Sequence, residues 1–288
     1  MSGSIGFPRV RAFLPALSVS LFLGLISAAV RADEHITWLH PEFPPSYIGS
    51  GEFTGQGYLD LQLIALQLRL PGFAHTTTAA PLARIWHELP HVDGVCFLGA
   101  SPTEERLKVA LFSRRGILTP IIQLAMREEG SERIRPYLNA EGEVDLEKLK
   151  SASELTGAYT DTATYGQIID DFLHSQDHAV ILSRVVEMRH PLTLLEKART
   201  DFIFVWPEQL TYYKRSTHSD FPTVSFKVAG TTAAQPYYAA CSRGPLGRKA
   251  IARIDAVLDE PTAWHEFVAP LKLWFPQADY DRAYRGEE

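Results

Sequence analysis

GVCFLGASPTEERLKVALFS, residues 94–113, is the stretch on which the reading of the chain turns. Its apolar run, residues 95–98, has the length and composition of a strand buried on both faces. The run breaks at Gly99, and Ser101-Pro102-Thr103-Glu104 then reads as a helix start. Ser101 stands at the capping position, Pro102 suits the first helical position, and Glu104 is placed to reach back and complete a capping box. Arg106 follows within the first turn, beside backbone N–H groups that have no intrahelical partner. A guanidinium and free amides together suit a carboxylate. The same residues also describe a surface arginine on an ordinary strand-to-helix turn, so the neighbouring segments decide.

Upstream, residues 36–39 form a short strand pattern that ends in the turn-rich Pro41-Glu42-Phe43-Pro44-Pro45. Gly55-Gln56-Gly57-Tyr58-Leu59-Asp60 opens a helix, with Leu61, Ile64, Ala65 and Leu68 at helical spacing as its expected inner face. Pro71-Gly72 stops that helix, and residues 75–78 give a Thr-rich strand. Pro81 starts a second helix with Leu82, Ile85, Trp86 and Leu89 on one face. The order β-α-β-α-β implies parallel strands with right-handed crossovers.

Downstream, residues 117–127 are extended and apolar, and an acidic, Gly-containing stretch leads to residue 150. A second alternation follows. Residues 157–160 read as strand, 161–165 as loop, and 166–173 as a helix carrying Ile168, Ile169 and Phe172. Residues 179–182 give another apolar strand, 191–198 a short helix and 201–205 a further buried strand, after which Pro207 begins a helix. Extended segments at 225–229 and 237–241 precede a helix over 247–258 with Ile251, Ile254 and Leu258 inward, and a last helical stretch spans 262–274. Two such alternations joined by extended segments imply two lobes with a crevice between them. Ligands of such sheets sit at the carboxyl ends of the strands.

The first residues read differently. Arg9 and Arg11 precede an apolar run, residues 13–29, and Val30-Arg31-Ala32 supplies small residues at a cleavage position. This is the layout of a signal peptide over 1–32, and it predicts a periplasmic protein starting at Asp33. The run is nearly long enough to serve instead as an anchor helix, but the small-residue exit and the polar Asp33-Glu34-His35 favour cleavage. The full chain carries a net charge of −6, and removing 1–32 takes away three arginines and no acids. With no basic tract, nucleic acid is not an expected partner. Cys96 and Cys241 are the only cysteines, so either one disulfide or two buried thiols is open.

Several strings carry less than they suggest. His87-Glu88-Leu89-Pro90-His91 matches HExxH literally, yet Pro90 forbids the unbroken helix that would put both histidines on a metal. Gly55-x-Gly57-x-x-Asp60 has Asp where a dinucleotide turn has its third Gly. No GxSxG, P-loop or CxxC occurs, so neither cofactor nor metal is expected. Phe43, Tyr47, Trp206, Tyr212 and Tyr213 read as core or loop anchors.

Taken together, the Phe43-Pro44-Pro45 turn, Gly55-Gln56-Gly57-Tyr58-Leu59-Asp60, the buried strand with Thr103-Glu104-Glu105-Arg106, Phe112-Ser113 and Ala198-Arg199-Thr200-Asp201 resemble family 3 of the bacterial extracellular solute-binding proteins. The resemblance covers essentially the whole chain after residue 32. It implies an α/β two-lobe periplasmic binding protein-like fold, each lobe a parallel-type sheet flanked by helices, with a ligand cleft between. Lobe one would be 33–123 plus 227–288, and lobe two 124–226. The implied function is capture of a small amino-acid-like or carboxylate ligand for the membrane subunits of an ABC transporter, by a monomer. By position, Arg106 would bind a ligand carboxylate with Ser101 beside it, Phe43 would stack on the ligand, and Thr162 would donate from lobe two. Trp206 stands where amino-acid binders of the family place an Asp for the ammonium group, so Glu208 substitutes or the ligand is not a standard α-amino acid. The family arrangement also puts Cys96 and Cys241 on neighbouring strands, which implies a disulfide. Two other functions fit the same fold: an exported dehydratase-like enzyme using Glu42, Glu104 or Glu208, and a ligand-sensing module for a membrane partner.

Overall fold

The computed structural model describes residues 1–3, 34–161, 163–187, 189–231 and 234–284. Apart from residues 1–3, the expected signal peptide lies outside these with its cleavage site, as does Thr162. β1 (Glu34–His40), α1 (Tyr58–Leu68), β2 (Phe73–Ala79), α2 (Leu82–Glu88) and β3 (Val95–Ala100) follow one another as read from the sequence. β1 pairs in parallel with both β2 and β3. A run such as Val95-Cys96-Phe97-Leu98 is buried throughout because helices cover both faces of a parallel sheet.

The inner face of α1 differs from expectation. Leu59, Leu63 and Leu66 are buried with Tyr58, whereas Ile64 and Leu68 are exposed. The helix is apolar on more than one side, so spacing alone offers two stripes. Its start decides between them: the Asp60 carboxylate accepts the N–H groups of Gly57 and Ile48, which fixes the helix with Tyr58 and Leu59 turned inward. α2 stops at Glu88, two residues before Pro90, so His91 lies beyond the helix that carries His87.

β3 is followed by α3 (Glu104–Val109), β4 (Leu111–Phe112) and β5 (Ile117–Pro120). The cap of α3 is Thr103 rather than Ser101, and its Oγ1 accepts the Arg106 N–H. The reason lies at Gly99, where φ is +106° and the β3 register shifts, so the strand runs on to Ala100 and pushes the helix start two residues along.

The chain then builds a second sheet from β6 (Gln123–Arg127), β7 (Thr156–Thr160), β8 (Ile181–Val185), β9 (Phe202–Val205) and β10 (Thr223–Lys227), in the order β10-β6-β9-β7-β8. Its helices are α4 (Leu146–Leu149), α5 (Gln167–His174), α6 (His190–Glu196) and α7 (Pro207–Ser216). β9 is buried on both sides: Phe202 and Phe204 enter one core with Leu124 and Tyr159, and Ile203 and Val205 enter another with Leu192 and Leu210. β8, read in the sequence as an apolar strand over 179–182, is an edge strand with Ile181 60% exposed, since only β7 pairs with it. In α5, Ile169 and Phe172 are buried as expected, but Ile168 faces out.

β11 (Ala234–Cys241) returns to the first sheet, and α8 (Pro245–Leu258), α9 (Pro261–Val268) and α10 (Gln277–Tyr284) pack behind it. β11 runs antiparallel to β3, β4 and β5. Each sheet is therefore mixed rather than all parallel. One strand leads out of the first sheet and one leads back, and two such segments side by side must oppose each other. Cys241 stands opposite Cys96 in the β11–β3 ladder, and a disulfide joins them with a Cα–Cα distance of 4.0 Å.

That disulfide closes a loop with a sequence separation of 145 residues. Replacing it by Cys96→Ala/Cys241→Ala is expected to cost about 2–5 kcal/mol of stability. Urea denaturation of the oxidised parent and the double variant measures the difference, and equal midpoints would contradict it.

Candidate functional site

The segments that leave the carboxyl ends of β1, β3, β7 and β9 converge on one cavity of about 990 Å³. Phe43 follows β1, Ser101 and Arg106 follow β3, Thr164 and Gly166 follow β7, and Trp206 and Glu208 follow β9. Five residues singled out in the sequence, Phe43, Ser101, Arg106, Trp206 and Glu208, thus line a single space.

Each is placed by local structure. The shift at Gly99 turns the chain at the end of β3, so that Arg106 Nη1 donates 2.9 Å to the Ser101 carbonyl. The Arg106 guanidinium also lies 4.4 Å from the centre of the Trp86 ring. No carboxylate pairs with it among the described residues. Burial lowers its pKa from the usual arginine value, an effect opposed by Tyr237. A half-buried cation fixed by a carbonyl and an indole, without an anion, is suited to an anionic group from outside.

Gly57 serves the opposite wall. A Cβ there would meet the Ser46 carbonyl at 2.2 Å, so only glycine admits this close approach. It brings Ser46 against Tyr58, whose phenolic oxygen accepts a hydrogen bond from Ser46 Oγ at 2.7 Å. The Gly-x-Gly-x-x-Asp string is thereby explained as a backbone crossing with an Asp60 cap.

The aromatic residues meet across the space. Phe43 from the first lobe stands edge-on to Trp206 from the second, ring centres 6.5 Å apart, and Trp206 stacks on Tyr165 at 5.5 Å. Phe43 remains 39% exposed. Trp206, read in the sequence both as a core or loop anchor and as a ligand-binding candidate, lines the cavity.

Glu208 differs from every other acid in the site. It is 4% exposed, and its Oε2 has no hydrogen-bond partner. Burial pushes its pKa up to about 8, with Asp279 adding to the rise and its own backbone N–H opposing it. Its charge would also act on Tyr58 and Tyr237. Tyr237 is pushed up to about 12, first by burial and then by Glu208, with Arg106 pulling the other way. Tyr237, which also lines the cavity, thus feels both the basic and the acidic group.

Trp86, Tyr58 and Tyr237 were not read as site residues. Trp86 offered one hint, as the single aromatic on the aliphatic face of α2. Tyr237 offered none, because its position depends on which strand β11 joins.

No protein-family description matches the chain, and no curated protein does. Solved structures do. A probable amino-acid ABC transporter extracellular-binding protein from Bacillus subtilis superposes with a TM-score of 0.64 at 15% identity, over 85% of this chain and 99% of that one. The chain has the two-lobe periplasmic binding protein fold. An ancestral amino-acid-binding protein, a precursor of cyclohexadienyl dehydratase, shares this fold with a TM-score of 0.58 at 15% identity, over 84% of this chain and 95% of that one. So does a histidine kinase sensor domain, with a TM-score of 0.57 at 17% identity and the same two coverages. At such identities the likeness concerns the fold. No described helix of this two-lobe protein is long and apolar enough to cross a membrane.

The buried acid has a cost in stability. Its pKa in the folded state lies above that of an unfolded Glu, so the folded protein holds the extra proton between roughly pH 4.5 and 8 and loses stability as pH rises through that window. Glu208→Gln removes the effect. Its stability relative to the parent should therefore rise from pH 5 to pH 8, by at least about 1 kcal/mol, in urea denaturation at the two pH values. A constant difference would contradict the burial argument.

Proposed function

We propose that the chain is an exported solute-binding protein whose interlobe cleft captures a small carboxylate or amino-acid-like ligand for the membrane subunits of an ABC transporter. In this reading residues 1–32 are the signal peptide, the protein works in the periplasm, lobe one is 33–123 plus 227–288, and lobe two is 124–226. The observation that carries it is Arg106: a cation fixed by Ser101 and Trp86, without an acid partner among the described residues, on a cavity faced by both lobes. Phe43 and Trp206 supply apolar walls for the ligand body, and Thr162 is placed by sequence to add a donor from lobe two. The fold neighbours named above are consistent with this role.

A second reading is a dehydratase-like enzyme. It is favoured by Glu208, a buried acid on the cavity that holds its proton at neutral pH and could give it to a leaving group. Incubation with ligands found by thermal shift separates the two: a binder returns its ligand unchanged and an enzyme returns product.

Charge-assisted hydrogen bonds are worth about 1.5–3 kcal/mol each, so Arg106→Ala should weaken binding of such a ligand by about tenfold to a hundredfold in calorimetry. Arg106→Lys should recover little of this, because a point charge does not replace the planar fork. His87→Ala, at the end of α2, should leave affinity unchanged. Equal affinities in the parent and a folded Arg106→Ala would remove the carboxylate site from this reading.

A further inference from the structure

The two indoles on the cavity have different roles. The Trp86 ring has the Arg106 guanidinium 4.4 Å from its centre, Phe112 stacked on it with ring centres 6.4 Å apart, and Phe97 edge-on. Its neighbours are thus a cation and two rings, and it serves to hold the arginine. Trp206 is backed by Tyr165, which stacks on it at 5.5 Å with the ring planes 23° apart. Tyr165 is itself fixed, for its phenolic oxygen accepts the Thr160 N–H at 2.8 Å and its own N–H donates to Asp170. Trp206 stays half-buried and lines the cavity on this rigid support.

Phe43 completes a corner. Its ring is 39% exposed, yet its place on the turn is fixed by a pair of backbone hydrogen bonds with Tyr47. The ring plane stands at 83° to that of Trp206, with ring centres 6.5 Å apart. Two rings at nearly a right angle offer a third ring one wall to stack on and one to meet edge-on. These are the two arrangements that the aromatic quadrupole favours. A saturated ring in the same corner gains the burial and not the quadrupole. Charge narrows the choice further. Arg106 is the one basic residue among the described residues that line the cavity, so a second carboxylate on the ligand would be desolvated there without a cation.

We propose that the cleft selects a ligand with one carboxylate and an aromatic ring, with or without an amino group beside the carboxylate, the ring seated in the corner of Phe43 and Trp206 while Arg106 holds the carboxylate. The inference rests on the carboxylate-binding reading of the cleft and narrows it: dicarboxylates, and saturated carboxylates of the same size, are the compounds it disfavours.

The test uses pairs of probes that differ only in ring saturation, titrated by calorimetry into the full mature protein at pH 7. The pairs are 3-phenylpropionate with 3-cyclohexylpropionate and L-phenylalanine with L-cyclohexylalanine, and the dicarboxylate glutarate stands beside them. In each pair that binds, the aromatic member should bind about twofold to tenfold more tightly, and glutarate should bind more weakly than either aromatic probe. Trp206→Leu, which keeps an apolar wall, should bring the members of a pair to about equal affinity. If this variant does not fold, the preference in the parent protein decides. Saturated members bound as tightly as the aromatic ones, or glutarate bound as tightly, would overturn the inference and leave the carboxylate site standing. A ring preference that survives intact in folded Trp206→Leu would overturn the place given to the ring. Binding of no probe would overturn the inference together with the carboxylate reading beneath it.

Discussion

The ladder between β11 and β3 is the contact on which the cleft depends. Four residue pairs, from Tyr238↔Ala100 to Cys241↔Cys96, hold a strand from the last quarter of the chain against one from its first half. The register shift within that ladder coincides with Gly99, and the turn it produces sets the Ser101 carbonyl where Arg106 reaches it. The same strand carries Tyr237 to the floor of the cavity. Without β11, the first sheet would have neither its second wall nor the bend that aims the arginine. The disulfide adds a covalent tie at the far end of this ladder, away from the cavity, so it steadies the frame without touching the site.

On that frame the cavity is polarised. Its basic end is a cation half withdrawn from water, and its acidic end is a carboxyl withdrawn almost completely. The two do not form an ion pair: Arg106 is held by a carbonyl and an indole, and Glu208 is buried with Asp279 acting on its charge.

Much of this was legible in the sequence, and the exceptions have physical causes. The order of strands and helices, the turn after β3 and the convergence of Phe43, Ser101, Arg106, Trp206 and Glu208 on one space follow from periodicity, capping residues and resemblance. The buried face of α1 did not follow, because the helix is apolar on two sides and Asp60 alone settles its rotation. Ser101 gave up its expected cap to Thr103 because a positive φ at Gly99 lengthened the strand. The exposure of β8 depends on its place at the sheet edge, and an apolar run does not state its neighbours. The raised pKa of Glu208 was hidden for a similar reason: its burial and the approach of Asp279, distant in sequence, arise only in the folded chain.

The strand order also fixes a sequence of events as the chain emerges from amino to carboxyl terminus. β6 to β10 are contiguous, so the second sheet holds all its strands before residue 234 exists. The first sheet does not. Until β11 arrives, β3 presents an unpaired apolar edge, of the kind that invites pairing with a foreign strand. The half of the molecule that appears first is therefore the half that finishes last, and long-range pairings of this sort are slow to form. A chain built in this way has reason to remain unfolded, or to be escorted, until its final quarter is free.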